Sequence, residues 1–337
     1  MLMLPPLPTP NAAVLKRLQT TPLAYWQHVG DPLPDLLGTL FAHDNSLALL
    51  TVVQHEAEQG HGLCQQFLET APTATAWVDP RYSDAIRAWQ NVCADNPLLI
   101  RLAWLAGITP VLLAQPRWNG FWFDDPSGFI ELITQLDELL RSSSLPTAQQ
   151  LQQLRLLLAI LRRDGQVCIT QNPPNGCGLA QADLATLIVL ISEDLPRCLH
   201  SLGLVLSANA QQGLRYWLWG LGQALQLEPA LLAKNADESL AFRHLLIQPA
   251  NSGAANKVHA WLRILAQADP LPAAERRVFA LTRSLISQQD AISLRLPGDA
   301  LGGLWRKANR WVVETSRPIT PRAATAGLQR KTLSLWR

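Results

Sequence analysis

Polar side chains at spacings that suit a reactive site are few in this 337-residue sequence. His55, Glu58 and His61 lie close together, but the HExxH spacing that lets two histidines of one helix bind zinc is absent. We therefore interpret this stretch as a solvated helix end. The adjacent carboxylates of Asp124 and Asp125 are interpreted as the start of a helix rather than as a general acid–base pair.

Cys198 and His200 are further candidates for a metal ligand, because thiolate and imidazole groups both bind transition metals. They lie in the sequence LPRCLHSLG, whose apolar pattern predicts a core helix. The simpler interpretation is a packed histidine and a buried thiol. His244 and His259 are also interpreted as packed histidines, because no neighbouring residue would orient them.

Arg155 lies among leucines in the middle of a predicted helix. A buried charge is costly unless an opposite charge meets it. One interpretation is that Arg155 binds a carboxylate of a bound ligand. The other, which we favour, is a structural ion pair with an acidic side chain such as Asp183 or Glu193.

The helix that carries Arg155, residues 147–163, is apolar on almost every face. A helix of this kind usually lies at the centre of a fold. Arg162 and Arg163 would complement the dipole at its C-terminal end, and Gly165 is expected to end it. The apolar positions are Leu151, Leu154, Leu156, Leu157, Leu158, Ala159, Ile160 and Leu161.

Composition favours helices throughout the chain. Hydrophobic residues make up 48% of the sequence and charged residues 16%, which favours a large buried core over disorder. Leucine dominates and β-branched residues are sparse, which favours helix over strand. Because neither a repeat of fixed period nor a series of strands is evident, we predict an all-α fold: a single large helical domain with a central buried helix.

Three parts are expected along the chain: a Pro-rich N-terminal arm over residues 1–35, a helical core over 36–298, and a basic, Trp-containing helix and tail over 299–337. Within the core, Trp77 is expected to anchor a Pro-containing linker. Asp194 and Pro196 are expected to mark the start of a further helix.

The net charge of +2 gives no reason to expect a nucleic-acid partner. Basic residues are concentrated near the C-terminus, however. The sequence LWRKANRWVV, at residues 304–313, is amphipathic, so residues 304–337 are expected either to contact an anionic membrane surface or acidic partner, or to pack as a terminal helix. Five cysteines without a CxxC motif indicate free thiols, and the N-terminus lacks a signal-peptide pattern; both indicate a cytoplasmic location.

The order of several segments resembles the MpaB/latex-clearing-protein family of haem oxygenases. The segments that carry this resemblance are GDPLPDLL at 30–37, WVDPRYSDAIRAW at 77–89, LRLLLAILRR at 154–163, GCGLAQADLATLIVLISEDLPRCLHSLGL at 176–204 and GLRYWLWGLGQALQLEPALL at 213–232.

The resemblance implies an all-helical fold around haem b, whose iron is held by a histidine of the central helix. It also implies an arginine and a threonine of the preceding helix near the opposite face of the haem, where oxygen binds and an alkene is oxidised. Alignment of Arg155 and Arg162 with the family's flanking arginines puts Leu158 at the ligand position. Thr134 stands for the threonine, while Phe129 or Ile130 falls where the arginine would be.

Gln181 and Asp183 match a further family motif and are assigned to the cofactor site by the same resemblance. Three hypotheses remain. The protein is a haem oxygenase with a replacement ligand and an apolar, unsaturated substrate; or it is a divergent member with impaired haem ligation, which binds an apolar small molecule or a protein partner; or it is an adaptor that works through its basic tail. We favour a family member whose standard haem chemistry is impaired.

Overall fold

A computed structural model describes residues 4, 7–19, 25, 29–41, 45–70, 77, 79–119, 126–169, 179–267 and 274–298. Every regular element in these ranges is helical, which confirms the predicted all-α fold. The first helices are α1 (Ala12–Leu18), α2 (Pro32–Phe41), α3 (Ser46–Glu58), α4 (Gly62–Glu69), α5 (Pro80–Asp95), α6 (Pro97–Leu102), a π-helix (Ala103–Ile108), α7 (Thr109–Leu113) and α8 (Pro116–Asn119). They are followed by α9 (Ser127–Arg141), α10 (Ala148–Ile169), α11 (Gln181–Ser201), α12 (Ala208–Ala224), α13 (Ala236–Leu246), α14 (Ala255–Gln267), α15 (Ala274–Leu285) and α16 (Gln288–Ser293), with 3-10 turns at Pro229–Leu231 and Ser252–Ala254.

Helix α10 is the central helix, because it contributes to two hydrophobic cores at once. Leu156 and Ile160 pack with residues of α2, α3 and α4. Leu154, Leu158 and Leu161 belong to the main core, which extends from α5 to α16. The two sets lie on different faces of the helix. Each face packs into its own core, which explains why the helix is apolar around its whole circumference.

Two predicted helix limits are wrong. Helix α10 continues past Gly165 to Ile169, and Pro196 lies inside α11 rather than at the start of a new helix. A glycine inside a helix costs about 1 kcal/mol and a proline about 3 kcal/mol. Burial of most of α11, including Leu195, Cys198 and Leu199 on either side of the proline, offsets that cost.

The apolar segment over residues 98–114 contains a change of hydrogen-bond register. The Thr109 amide donates to the carbonyl of Trp104, five residues earlier, so residues 103–108 form a π-helix. Pro110 follows and has no amide hydrogen with which to reach the carbonyl of Leu105. The indole Nε1 of Trp261 on α14 donates to that oxygen instead, at 2.9 Å.

Helices α5 and α12 approach so closely that only glycine fits at their contact. A Cβ atom at Gly213 would overlap the main-chain carbonyl of Ala85. Trp77 anchors its segment as predicted, since its Nε1 donates to the carbonyl of Trp217 at 3.1 Å. The indole of Trp77 also fills the space beside Gly220.

The predicted boundary at residue 35 falls inside α2, so the end of the proposed N-terminal arm is part of a core helix. Asp124, Asp125 and the basic segment 299–337 lie outside the described residues. None of the helices that the structure describes is individually long and apolar enough to cross a membrane.

Substitution Gly213→Ala should lower the free energy of unfolding by at least about 2 kcal/mol, because the new methyl group forces α5 and α12 apart. Gly62→Ala is the matched control, since a Cβ atom there meets no other atom within 4 Å. Denaturant unfolding followed by circular dichroism measures both. Equal stabilities for the two variants would contradict the close helix contact.

Candidate functional site

The predicted ion pair of Arg155 is present, but its partner is Asp31 and not Asp183 or Glu193. Arg155 Nε lies 2.7 Å from Asp31 Oδ2, and Nη2 lies 3.1 Å from Oδ1, which is a bidentate arrangement. Both residues are buried. The guanidinium also lies over the ring of Phe67, 5.2 Å from its centroid. The remaining nitrogen, Nη1, has no hydrogen-bond partner in the described part of the chain.

Arg162 forms a second pair two turns further along α10. Its Nε donates to Asp35 Oδ1 at 2.7 Å, and its Nη1 donates to the carbonyl of Leu179 at 3.1 Å. Arg162 therefore binds α2 and the loop before α11 rather than the C-terminal carbonyls of its own helix. Burial raises the pKa of Asp35 above its ordinary value, although Arg162 opposes the shift. We call Arg155, Arg162, Asp31 and Asp35 the arginine–aspartate clamp.

Leu158 lies one turn from Arg155 and is buried in the main core. Its side chain has no lone pair and cannot bind a metal. Phe129 is buried in the same core, and its ring meets that of Trp261 edge to face, with centroids 6.1 Å apart. Ile130 packs against this core from its edge. The positions expected to hold polar site residues are therefore occupied by packed apolar side chains.

Thr134 does not join this group. Its side chain is exposed, and its hydroxyl donates to the carbonyl of Ile130 at 2.8 Å. The reason is helical periodicity, because the buried face of α9 is formed by Phe129, Leu132, Ile133 and Leu136. Thr134 therefore lies on the exposed face of α9, away from the core that contains Leu158.

Gln181 and Asp183 form hydrogen bonds with main-chain groups around the start of α11. The Gln181 amide nitrogen donates to the carbonyls of Gly30 and Gln226, and its amide oxygen accepts from the N–H of Glu228. The Asp183 carboxylate accepts from the N–H of Ala180 at 2.9 Å and so caps the helix. Both residues, which were assigned to the cofactor site, bind main-chain groups here.

The two alternative metal ligands are not brought together. His200 is exposed near the end of α11, whereas Cys198 is buried. The Cys198 thiol donates to the carbonyl of Leu285 at 3.3 Å, and burial raises its pKa far above the ordinary thiol value. A protonated thiol is a poor ligand, because metals bind the thiolate.

These residues do not fit haem b held by the central helix. Leu158 offers no ligand, and Phe129 packs against Trp261 where a polar group is expected. The carboxylates of Asp31 and Asp35 already neutralise the two arginines that flank Leu158. Among the residues that the structure describes, no group of three or more histidines, cysteines or carboxylates is placed to hold a metal ion.

Sequence reasoning missed Asp31 and Asp35 as members of the site. The available signal was their spacing, four residues apart at the start of a helix, which places both carboxylates on one face. Arg155 and Arg162, seven residues apart, likewise share one face of α10. It also missed the ion pairs of Asp194 on α11, which bind Arg197 of the same helix and Arg243 of α13.

Substitution Asp31→Ala should destabilise the protein by about 3–5 kcal/mol, because it leaves the buried Arg155 without a counter-charge. The double variant Asp31→Leu/Arg155→Met should regain most of that loss. Asp84→Ala is the control, because the Asp84–Arg87 pair is exposed and its removal should change little. A double variant no more stable than Asp31→Ala would show that the charge pair is not the cause.

Asp35 should make stability depend on pH. Its pKa in the folded protein is raised, so its stabilising contribution is complete below the unfolded value of about 3.8 and is lost as pH rises through the folded value. The stability of the wild type relative to Asp35→Asn should therefore fall as pH rises from about 4 towards neutrality. Urea titrations of both proteins across that range measure the difference. A relative stability that rises with pH would mean that the pairing with Arg162 outweighs burial.

No family model matches this chain, and no curated protein matches its sequence. A solved structure of latex clearing protein in the closed state has a similar fold, with a TM-score of 0.65. The similarity covers 92% of this chain and 91% of that chain, at 15% sequence identity. At this identity the likeness establishes the fold alone. The chain thus has an all-helical fold of the latex-clearing-protein type.

Proposed function

We propose that this protein is a distant, oxygenase-like member of the MpaB/latex-clearing family in which haem ligation by the central helix is lost. The standard reaction of that family, haem-dependent oxidation of apolar unsaturated substrates, would then be impaired. Leu158 is the observation that carries this proposal, because it is buried in the main core at the aligned ligand position and cannot bind iron.

Two further observations support the proposed loss of haem ligation. The arginines on either side of Leu158 are bound by carboxylates of the same chain, so they have no net charge left for a cofactor's carboxylates. The apolar replacements at Phe129 and Ile130 pack against the same core as Leu158. One missing ligand alone can be replaced from elsewhere. Apolar residues at two polar positions of one site, Leu158 at the one and Phe129 or Ile130 at the other, support a loss of the haem chemistry.

The second candidate is a non-catalytic helical protein that binds an apolar small molecule or a protein partner. One specific observation favours it. Arg155 Nη1 is a buried donor without a hydrogen-bond partner in the described ranges, beside a core that is otherwise apolar. A buried unpaired donor is costly, and a molecule with one neutral acceptor on an apolar body would satisfy it.

The contact of residues 304–337 with an anionic membrane or an acidic partner stays a prediction, as does the cytoplasmic location. Neither depends on the state of the haem site. The basic residues of the tail predict binding that weakens as salt is added, because exposed charges are screened.

Protein purified from haem-replete cells should show no Soret band and should contain no stoichiometric haem in a pyridine haemochrome assay. The physical reason is the absence of an iron ligand at Leu158. Stoichiometric haem together with oxygen consumption by the wild type would refute the proposed loss and favour a replacement ligand.

Substitution Leu158→His discriminates between the two candidates. If only the ligand has been lost, this variant should gain a Soret band on addition of haem. Leu156→His is the matched control, because Leu156 is equally buried but packs against α2–α4 instead. A Soret band in neither variant would favour the non-catalytic alternative, in which the interior no longer admits haem.

A further inference from the structure

Two tyrosine rings meet where helices α5 and α12 pack together. The sequence contains three tyrosines, Tyr25, Tyr82 and Tyr216. The ring of Tyr82 on α5 stacks on that of Tyr216 on α12, with the centroids 3.6 Å apart and the planes tilted by 31°. Aromatic pairs in proteins usually have centroids about 4.5–7 Å apart, so these rings are in unusually close contact. We call Tyr82 and Tyr216 the tyrosine pair.

The close approach of the rings follows from the contact between the two helix backbones. A Cβ atom at Gly213 would overlap the main-chain carbonyl of Ala85, so the helices touch at this point. Tyr82 lies three residues before Ala85, and Tyr216 lies three residues after Gly213. Residues three apart share one face of a helix, so each ring lies one turn from the backbone contact. The backbones therefore hold the rings together in the folded protein.

The tyrosine pair is also open to reagents in solution. Both side chains are half-buried, so part of each ring reaches the solvent. The amide Nε2 of Gln212 donates to the phenolic oxygen of Tyr216 at 3.0 Å. Because that oxygen accepts from Gln212, the hydroxyl of Tyr216 can still donate its own hydrogen to water.

We propose that the tyrosine pair is a site of oxidative cross-linking, at which one-electron oxidation driven by hydrogen peroxide joins Tyr82 to Tyr216 as dityrosine. Each phenol loses one electron to the oxidant and its hydroxyl proton to water, which leaves a phenoxyl radical. The two radicals form a carbon–carbon bond between ring positions next to the hydroxyl groups. The hydrogen on each of these carbons then moves to the phenolic oxygen. In total the pair loses two electrons and two protons, and hydrogen peroxide takes them up to give two molecules of water.

The geometry favours this bond over a bond between two molecules. The centroid separation equals the contact distance of carbon atoms, about 3.5–4.0 Å, so the reacting rings already touch. Groups held together in one molecule react as if they were present at very high concentration. The inference concerns α5 and α12 and does not rest on the proposed loss of haem ligation.

The cross-link would tie together two helices that are far apart in sequence. A covalent bond that closes a long segment restricts the unfolded chain and so stabilises the folded one. Oxidation at the tyrosine pair would therefore stabilise the packing of α5 against α12, where the described cysteines offer no equivalent bond because Cys64, Cys93 and Cys198 are buried free thiols.

The test is oxidation of the purified full-length protein with hydrogen peroxide and a peroxidase. The wild type should gain dityrosine fluorescence while it still migrates as a monomer under denaturing and reducing conditions, which remove any disulfide. Peptide mass spectrometry should find the segments that contain Tyr82 and Tyr216 joined, with the loss of two hydrogen atoms. The Tm of the cross-linked monomer should rise by several degrees.

The substitutions Tyr82→Phe and Tyr216→Phe should each abolish the cross-link within the monomer. Phenylalanine keeps the ring but has no phenol to oxidise, so circular dichroism should show unchanged helix content. Tyr25→Phe is the matched control, because Tyr25 lies outside α5 and α12 and its loss should leave the yield unchanged. Wild-type protein oxidised in urea should also lose the product, because the rings are then no longer held together.

An oxidised wild-type monomer without dityrosine would overturn the proposal. An unchanged yield in either variant of the tyrosine pair, or in urea, would do the same, because the product would then not depend on the stacked rings. Tyr25 is 60% exposed. Cross-linked dimers that disappear in Tyr25→Phe, without any cross-linked monomer, would show that Tyr25 reacts between molecules and that the tyrosine pair does not react.

Discussion

Arg155 and Arg162 are buried on the central helix, and a buried cation is strongly unfavourable unless an anion meets it. Much of the N-terminal half of the structure follows from this constraint. Asp31 and Asp35 must reach the central helix, so the start of α2 is fixed against it. Once α2 is in place, α3 and α4 complete the second hydrophobic core around Leu156 and Ile160. The clamp is therefore both an electrostatic requirement and the means by which two cores share one helix.

The similarity to latex clearing protein concerns the fold and not the chemistry of a site. The all-helical shell is retained at low sequence identity, as expected when total volume and apolar pattern are preserved. The chemistry of a site depends instead on a few atoms. A buried leucine keeps the packing of the central helix while it removes a metal ligand, so fold and activity can separate at a single position. Leu158 is buried in the main core, as such a replacement would require.

Helical periodicity and composition were sufficient to predict the fold class, the central helix and the role of Trp77 as an anchor. They could not identify the partner of Arg155, because the pairing joins residues far apart in sequence and depends on the tertiary fold. Gly165 and Pro196 misled the prediction of helix limits for a related reason. Local propensity costs a few kcal/mol, and burial of a long apolar helix outweighs it. The alignment gave the position of Thr134 along α9 but not the face of the helix on which it lies, and the structure places it on the exposed face.

The clamp pairs Asp31 with Arg155 and Asp35 with Arg162, across 124 and 127 residues of chain. During translation at roughly 5–20 residues per second, the aspartates emerge about 6–25 s before the arginines that will bind them. The first helices can form in that interval, but the second core lacks Leu156 and Ile160 and cannot close. The nascent N-terminal segment must therefore stay available, with its apolar surfaces uncovered, until the central helix leaves the ribosome. This order leaves the apolar faces of the first helices without their packing partners for the whole of that interval.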